Sequence, residues 1–96
     1  MNIRLEDKVR LRLSQQDYQQ LEQYQVLKQS FQIVNLYSFE VEIVTNCEVS
    51  ISQIFYEPHK LKIFLSPDDF VSIKPSAKTK SGIDFSGLNL QVDIRS

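Results

Sequence analysis

The chain reads as a single α+β domain over residues 1–96. The expected architecture is an antiparallel β-sheet of about six or seven strands, one N-terminal helix packed on it, and a short second helix before the last strand. Three observations predict it. Apolar and polar residues alternate over several short runs, which is the period of a strand with one covered face. Segments beginning at Ser14 and Ser66 carry helix-start signals. The 96 residues, 42% hydrophobic and 24% charged, suffice for one packed core and argue against two. Alternation, rather than solid Val/Ile runs, favours antiparallel over parallel pairing.

Residues 2–13 form the first two strands. Ile3 and Leu5 alternate with Arg4, then Val9, Leu11 and Leu13 alternate with Arg10 and Arg12. The intervening Glu6-Asp7-Lys8 turns the chain without a glycine, and Asp is among the residues that tolerate a positive φ. Ser14 then caps a helix to about residue 25, with Asp17 at the positive end of its dipole. Its Gln- and Glu-rich body carries one modest apolar stripe, Tyr18, Leu21 and Tyr24, so it lies on a sheet rather than inside a bundle. Phe31 and Ile33 lead towards Asn35, and Tyr37, Phe39, Val41 and Ile43 make the clearest strand of the sequence. Val49 and Ile51 begin another, whose parity slips near Ser52-Gln53. A bulge there would account for the slip and would help the sheet curl into a partial barrel. Leu61, Ile63 and Leu65 alternate after a turn at Glu57-Pro58-His59. Ser66-Pro67-Asp68-Asp69 starts a helix of at most two turns, since Pro75 soon follows. Residues 75–82 are a polar loop, and Leu88, Leu90, Val92 and Ile94 form the last strand. No internal repeat and no linker is visible.

Composition excludes several classes. Two Gly and three Pro rule out collagen-like and low-complexity chains. No apolar run approaches the roughly 20 residues of a membrane span, and Met1–Asp7 is not a secretory signal. A single cysteine, Cys47, and no such signal point to the cytoplasm. A net charge of −1 argues against non-specific nucleic-acid binding. That near-zero sum hides an uneven distribution: arginines on the first hairpin, only acids from 33 to 56, and lysines in the 75–82 loop.

Candidates for chemistry are few. Cys47 and His59 stand 12 positions apart, each in a turn, and do not suggest a nucleophile with its base. No glycine-rich phosphate loop and no metal-ligand spacing occurs, so no cofactor is expected. Asp68-Asp69 is explained by the helix dipole. Glu40 and Glu42 share a strand face about 7 Å apart, suited to a cation or to acid–base work, or to facing solvent or a neighbouring arginine row. Arg4, Arg10 and Arg12 also share a face, joined by Lys8 at the turn. They suit an anionic ligand or a nucleic-acid backbone, or form a solvated face paired with acids. No aromatic residue interleaves them to stack on bases. Finally, if Leu61, Ile63 and Leu65 face the core, Phe64 faces away beside Ile54 and Tyr56. Those three need a cover, either from this chain's own helix or from a second subunit or partner.

Met1-Asn2-Ile3-Arg4-Leu5, then Val9-Arg10-Leu11-Arg12-Leu13-Ser14-Gln15 with Asp17 and Leu21, resembles a family of short, uncharacterised bacterial proteins. Those chains open with a Lys-Ile-Arg-Ile strand, a turn with Asn, and an Arg-Leu-Arg-Leu-Thr strand leading into a helix. Phe39-Glu40-Val41, Leu61–Leu65, Asp69-Phe70-Val71, Ser81–Asp84 and Leu88–Ile94 extend the likeness. The turn differs, being Glu6-Asp7 here, and the family's cysteine-containing tail is absent. The resemblance implies a fold and no activity. The expectation is therefore a non-enzymatic interaction module, with homodimerisation through Ile54, Tyr56 and Phe64. The alternative is a small-ligand or anion-binding protein, or an enzyme, using Arg4, Arg10 and Arg12 together with Glu40 and Glu42.

Overall fold

The computed structural model describes residues 1–34, 37–45, 48–75 and 82–93, with residues 33, 34 and 37 described by backbone alone. Its elements run β1 (Asn2–Leu5), β2 (Val9–Leu13), α1 (Gln15–Tyr24), β3 (Val26–Val34), β4 (Tyr37–Val44), β5 (Gln53–Glu57), β6 (Lys60–Phe64), α2 (Pro67–Ser72), β7 (Ile83–Phe85) and β8 (Leu88–Val92). Cys47 and most of the 75–82 loop lie outside the described residues, as does Ile94.

The α+β class holds, but the single antiparallel sheet does not. The strands form two open four-stranded sheets, β1-β2-β8-β7 (sheet A) and β3-β4-β6-β5 (sheet B). Each consists of two antiparallel hairpins joined at the centre by a parallel pair, β2 with β8 and β4 with β6. The inner faces of both sheets supply one core: Leu11, Leu13, Leu88, Leu90 and Val92 from one side, Val41, Ile43, Leu61 and Ile63 from the other. Alternation along the central strands therefore reports one covered face, whatever the direction of pairing. Each such side chain contributes about 1.5–3 kcal/mol of burial free energy before chain entropy is set against it.

The expected absence of an internal repeat is overturned, for the chain is built of two similar halves. β1-β2-α1-β3-β4 and β5-β6-α2-β7-β8 are two hairpin–helix–hairpin halves, and each half gives one hairpin to each sheet. Lys8–Ser14 and Lys60–Ser66 correspond position by position. Leu13 ends β2 and Leu65 directly follows β6, and both are fully buried. Ser14 and Ser66 are both N-caps, accepting from the backbone N–H of Asp17 and Asp69 at 3.0 and 3.2 Å. Tyr18 and Phe70, 52 positions apart, stack on each other with ring centroids at 4.8 Å, and the Tyr18 hydroxyl donates to the Phe70 carbonyl. Leu21 and Ile73 then enter the core at corresponding places.

The two caps differ in one detail. The Asp17 carboxylate accepts directly from the Ser14 N–H at 3.0 Å and holds the α-ammonium of Met1 at 2.8 Å. At the second helix a buried hydroxyl is inserted: Ser52 Oγ accepts from the Ser66 N–H and donates to the Asp69 carboxylate. This explains why the expected bulge at Ser52-Gln53 is absent. Ser52 turns inward as a cap partner, residues 48–52 form no strand, and β5 starts at Gln53. The register shift in sheet B lies instead between Gln32 and Val34.

β7 is an unforeseen strand. Its two-residue turn uses positive φ at Ser86 (50°) and Gly87 (79°), the hairpin conformation that matches strand twist. Gly82 is fixed by a tighter demand. A Cβ there would stand 2.2 Å from the Leu90 carbonyl oxygen.

Candidate functional site

The central strands send their inner side chains to the core, so the other faces of the two sheets carry the charged residues. Those outer faces point away from each other. Glu40 and Glu42 lie on sheet B, and Arg4, Arg10 and Arg12 lie on sheet A. The structure does not bring the two sets together.

On sheet B the row Lys28–Glu42–Lys62–Phe55 crosses all four strands, because Lys28 pairs with Glu42, Glu42 with Lys62, and Lys62 with Phe55. The neighbouring row contains Glu40 and Lys60. Glu42 is covered by three ammonium groups: Lys60 at 2.9 Å, with Lys28 and Lys62 at 3.7 Å. Lys60 also reaches Glu40 at 3.3 Å. The hydrogen bond from Lys60 holds the Glu42 carboxyl below its ordinary range, against the opposing effect of burial, and all three lysines add to it. Lys60 is correspondingly pushed up, first by Glu42. The acids thus face lysines, not an arginine row. Lys60 and Lys62 alternate with Leu61 and Ile63 as outward residues should, which is the sequence signal for them, whereas Lys28 carries none.

On sheet A, Arg4 stands directly opposite Arg10, and Arg10 is paired in turn with Asn89. Together with Asn2, Glu6, Arg12 and Gln91 the two arginines line a shallow depression of about 100 Å³. Glu6, half exposed in the turn, is the carboxylate in it, 3.5 Å from the Arg10 Nε and 4.0 Å from Arg4. Asp7 reaches Arg10 only at 4.0 Å. On the other side of this face Lys8 bonds Asp84 at 2.9 Å. That bond, with a second from the Asn89 amide, lowers the Asp84 carboxyl. The shared face of the three arginines is as the alternation indicates. Asn2 and Gln91, the amides beside them, become visible only through strand register.

The expected apolar trio is split. Ile54 and Tyr56 pair with Ile63 and Leu61 and share their face, whereas Phe64 points to the opposite one. The neighbour of Phe64 is Phe55, edge to face at 5.6 Å, with Lys62 over the Phe64 ring. The parity ambiguity at 54–56 hid this, and Ser52 turning inward settles it in favour of Phe55. Ile54 packs against the core, while Tyr56 remains 64% exposed and Phe55 49%.

Elsewhere, a groove between α1 and α2 is floored by Leu21, Thr45 and Phe70. His59 is exposed in its turn. Among the described residues no group of three or more His, Cys, Asp or Glu could hold a metal, and no helix is long and apolar enough to cross a membrane. No family model matches the chain, and comparisons with curated proteins and solved structures return no match.

Proposed function

We propose that this chain is a non-enzymatic interaction module that pairs with a second copy of itself along the β5 edge. The observation that carries the reading is the contrast among the four sheet edges. An unpaired edge invites another strand unless something blunts it. β7 is three residues long, β3 carries Lys28 and a register shift, and β1 carries Arg4. β5 carries its one charge, Glu57, at its end, has no irregularity along its pairing, and leaves both its aromatic rings exposed.

β5 also complements itself. In an antiparallel pair about a two-fold axis at Phe55, each Phe55 faces its counterpart, Ile54 faces Tyr56, and Gln53 faces Glu57. Apolar meets apolar, amide meets carboxylate, and no like charges are opposed. The ionisable groups support a binding rather than a catalytic role. Glu42, Asp84 and Lys60 are all shifted towards their ordinary charged forms. Acid–base catalysis near neutral pH needs the opposite displacement. The resemblance to short bacterial proteins adds no activity.

Sedimentation across the micromolar range tests the proposal, with a concentration-dependent dimer expected. Phe55→Glu is the informative variant. Within one chain the new carboxylate sits beside Lys62 and is tolerated, but in the dimer two carboxylates would face each other. It should therefore be a folded monomer. A wild-type chain that stays monomeric throughout the range rejects the reading.

A further inference from the structure

The structural repeat gives the arginine face of sheet A a second meaning, independent of the β5 edge. Corresponding positions can be compared across the two halves. Arg10 occupies the place of Lys62, and Lys8 that of Lys60. Asn89, cross-strand partner of Arg10, takes the place of Glu42, cross-strand partner of Lys62. In sheet B the cations at these positions close around a carboxylate that the chain itself supplies. In sheet A the same central position holds a neutral amide, and its NH2 group is already committed to the Ile83 carbonyl and Asp84.

Lys8 is taken by Asp84 at 2.9 Å, whereas Arg10 meets carboxylates only loosely, Glu6 at 3.5 Å and Asp7 at 4.0 Å. Arg4 and Arg10 are directly opposed across β1 and β2, an arrangement of like charges that costs stability unless an anion relieves it. The relief within the chain is loose, since Glu6 stands at 3.5–4.0 Å and is half exposed. The Arg10 Nε is shielded from solvent and meets no hydrogen-bond acceptor at proper geometry. The Arg4 and Arg10 guanidiniums line the depression with the Glu6 carboxylate, and Arg12 and the Asn2 and Gln91 amides complete its wall. Guanidinium forks match tetrahedral oxyanions bidentately.

We infer that this depression is a binding site for a phosphate-type dianion, either inorganic phosphate or a phosphomonoester, which takes the place that Glu42 fills in sheet B. The ligand displaces Glu6 from Arg4 and Arg10. Glu6 therefore acts as a resident competitor.

The test is titration of the full chain with inorganic phosphate and, separately, phosphoserine, followed by amide and arginine Nε–H NMR shifts at constant ionic strength. Saturable shifts confined to residues 2–6, 9–12 and 89–91 are expected. Arg10→Gln should weaken binding about tenfold, the loss of a charge-assisted hydrogen bond. Glu6→Gln should tighten phosphate and phosphoserine binding more than it enhances any chloride response, since a general change of surface potential would raise all three alike. Phosphoserine binding with no response to inorganic phosphate assigns the site to the ester and still supports it. Linear, unsaturable shifts that chloride reproduces overturn the inference, as does a Glu6→Gln variant with unchanged affinity. Far tighter retention of a single-stranded oligonucleotide, lost steeply with salt, overturns it too, because the contact would then be an extended backbone rather than one dianion. None of these readouts depends on whether the chain dimerises.

Discussion

Two outer faces built on the same strand plan resolve their charges in different ways. Sheet B is self-sufficient: Glu42 lies at the centre of Lys28, Lys60 and Lys62, and the cluster leaves its carboxylate covered. Sheet A has Arg10 and Lys8 where sheet B has Lys62 and Lys60, an amide at its centre, Asp84 in the place of Lys28, and Glu6 in the turn. The core residues behind the two faces are interchangeable in kind. The residues in front of them are not. A repeated scaffold thus keeps its interior equivalent and places its differences where partners and solvent meet it, which is where function resides.

The sharpest check of that comparison lies in the core, where the halves should behave alike. Leu13, the last residue of β2, and Leu65, the residue after β6, occupy matching places, and both are fully buried. Leu13→Ala and Leu65→Ala should each cost about 3 kcal/mol in urea unfolding, the loss of a buried side chain plus its cavity. The two values should agree within about 1 kcal/mol. A large imbalance would mean that one half is packed against the other rather than equivalent to it.

Much of this scaffold is legible in the residues. The first hairpin, both Ser-capped helices, β4, β6 and the last strand follow from alternation and capping chemistry, because those signals depend only on neighbours in sequence. Pairing direction does not, since a strand covered on one side alternates whether its partner runs parallel or antiparallel. The repeat is obscured for a physical reason as well. Its matching positions, Leu13-Ser14, Asp17-Tyr18 and Leu65-Ser66, Asp69-Phe70, are inward-facing or capping residues. The outward positions match only in part, since Lys8 and Arg10 answer to Lys60 and Lys62 but Arg12 to Phe64, and the two hairpin turns differ in length. β7 is hidden in the sequence because three residues carry almost no periodicity, although Ser86-Gly87 is a turn signal. For the charged faces, alternation correctly grouped Arg4, Arg10 and Arg12, and Glu40 with Glu42. Which face lay against which required the strand order.

The next largest effect concerns Glu42. Glu42→Gln leaves three lysines crowded on one face and should cost roughly 1–2 kcal/mol at neutral pH, kept modest because the ammonium groups still reach water. Its pH dependence has a definite sign. The folded carboxyl titrates below its ordinary value of 4.5, so the folded state binds fewer protons there than the unfolded chain. The stabilisation is present above that value and is lost as the pH falls through the lowered folded pKa. Lys60, raised above 10.5, sets the opposite limb, and its contribution is lost as the pH rises through the raised folded value. Glu42→Gln should therefore flatten both limbs of the stability profile. Equal acid limbs for variant and wild type would show that sheet B is not held by this cluster.

The smallest effect belongs to Asp84, the acid that sheet A places at its edge. Its carboxyl is also lowered, first by the hydrogen bond from Lys8 and then by that from Asn89, so its contribution likewise disappears as the pH falls below the ordinary value of 3.8. The difference lies in exposure: Asp84 stands in solvent, where salt screens the pair, whereas Glu42 is covered by its lysines. Asp84→Asn should leave the urea midpoint at neutral pH close to that of the wild type. Whatever acid-limb change it causes at low ionic strength should vanish in high salt, while the change caused by Glu42→Gln persists. If salt erased both equally, the two faces would be alike in their electrostatics. The central carboxylate would then give sheet B no advantage over the amide at the same place in sheet A.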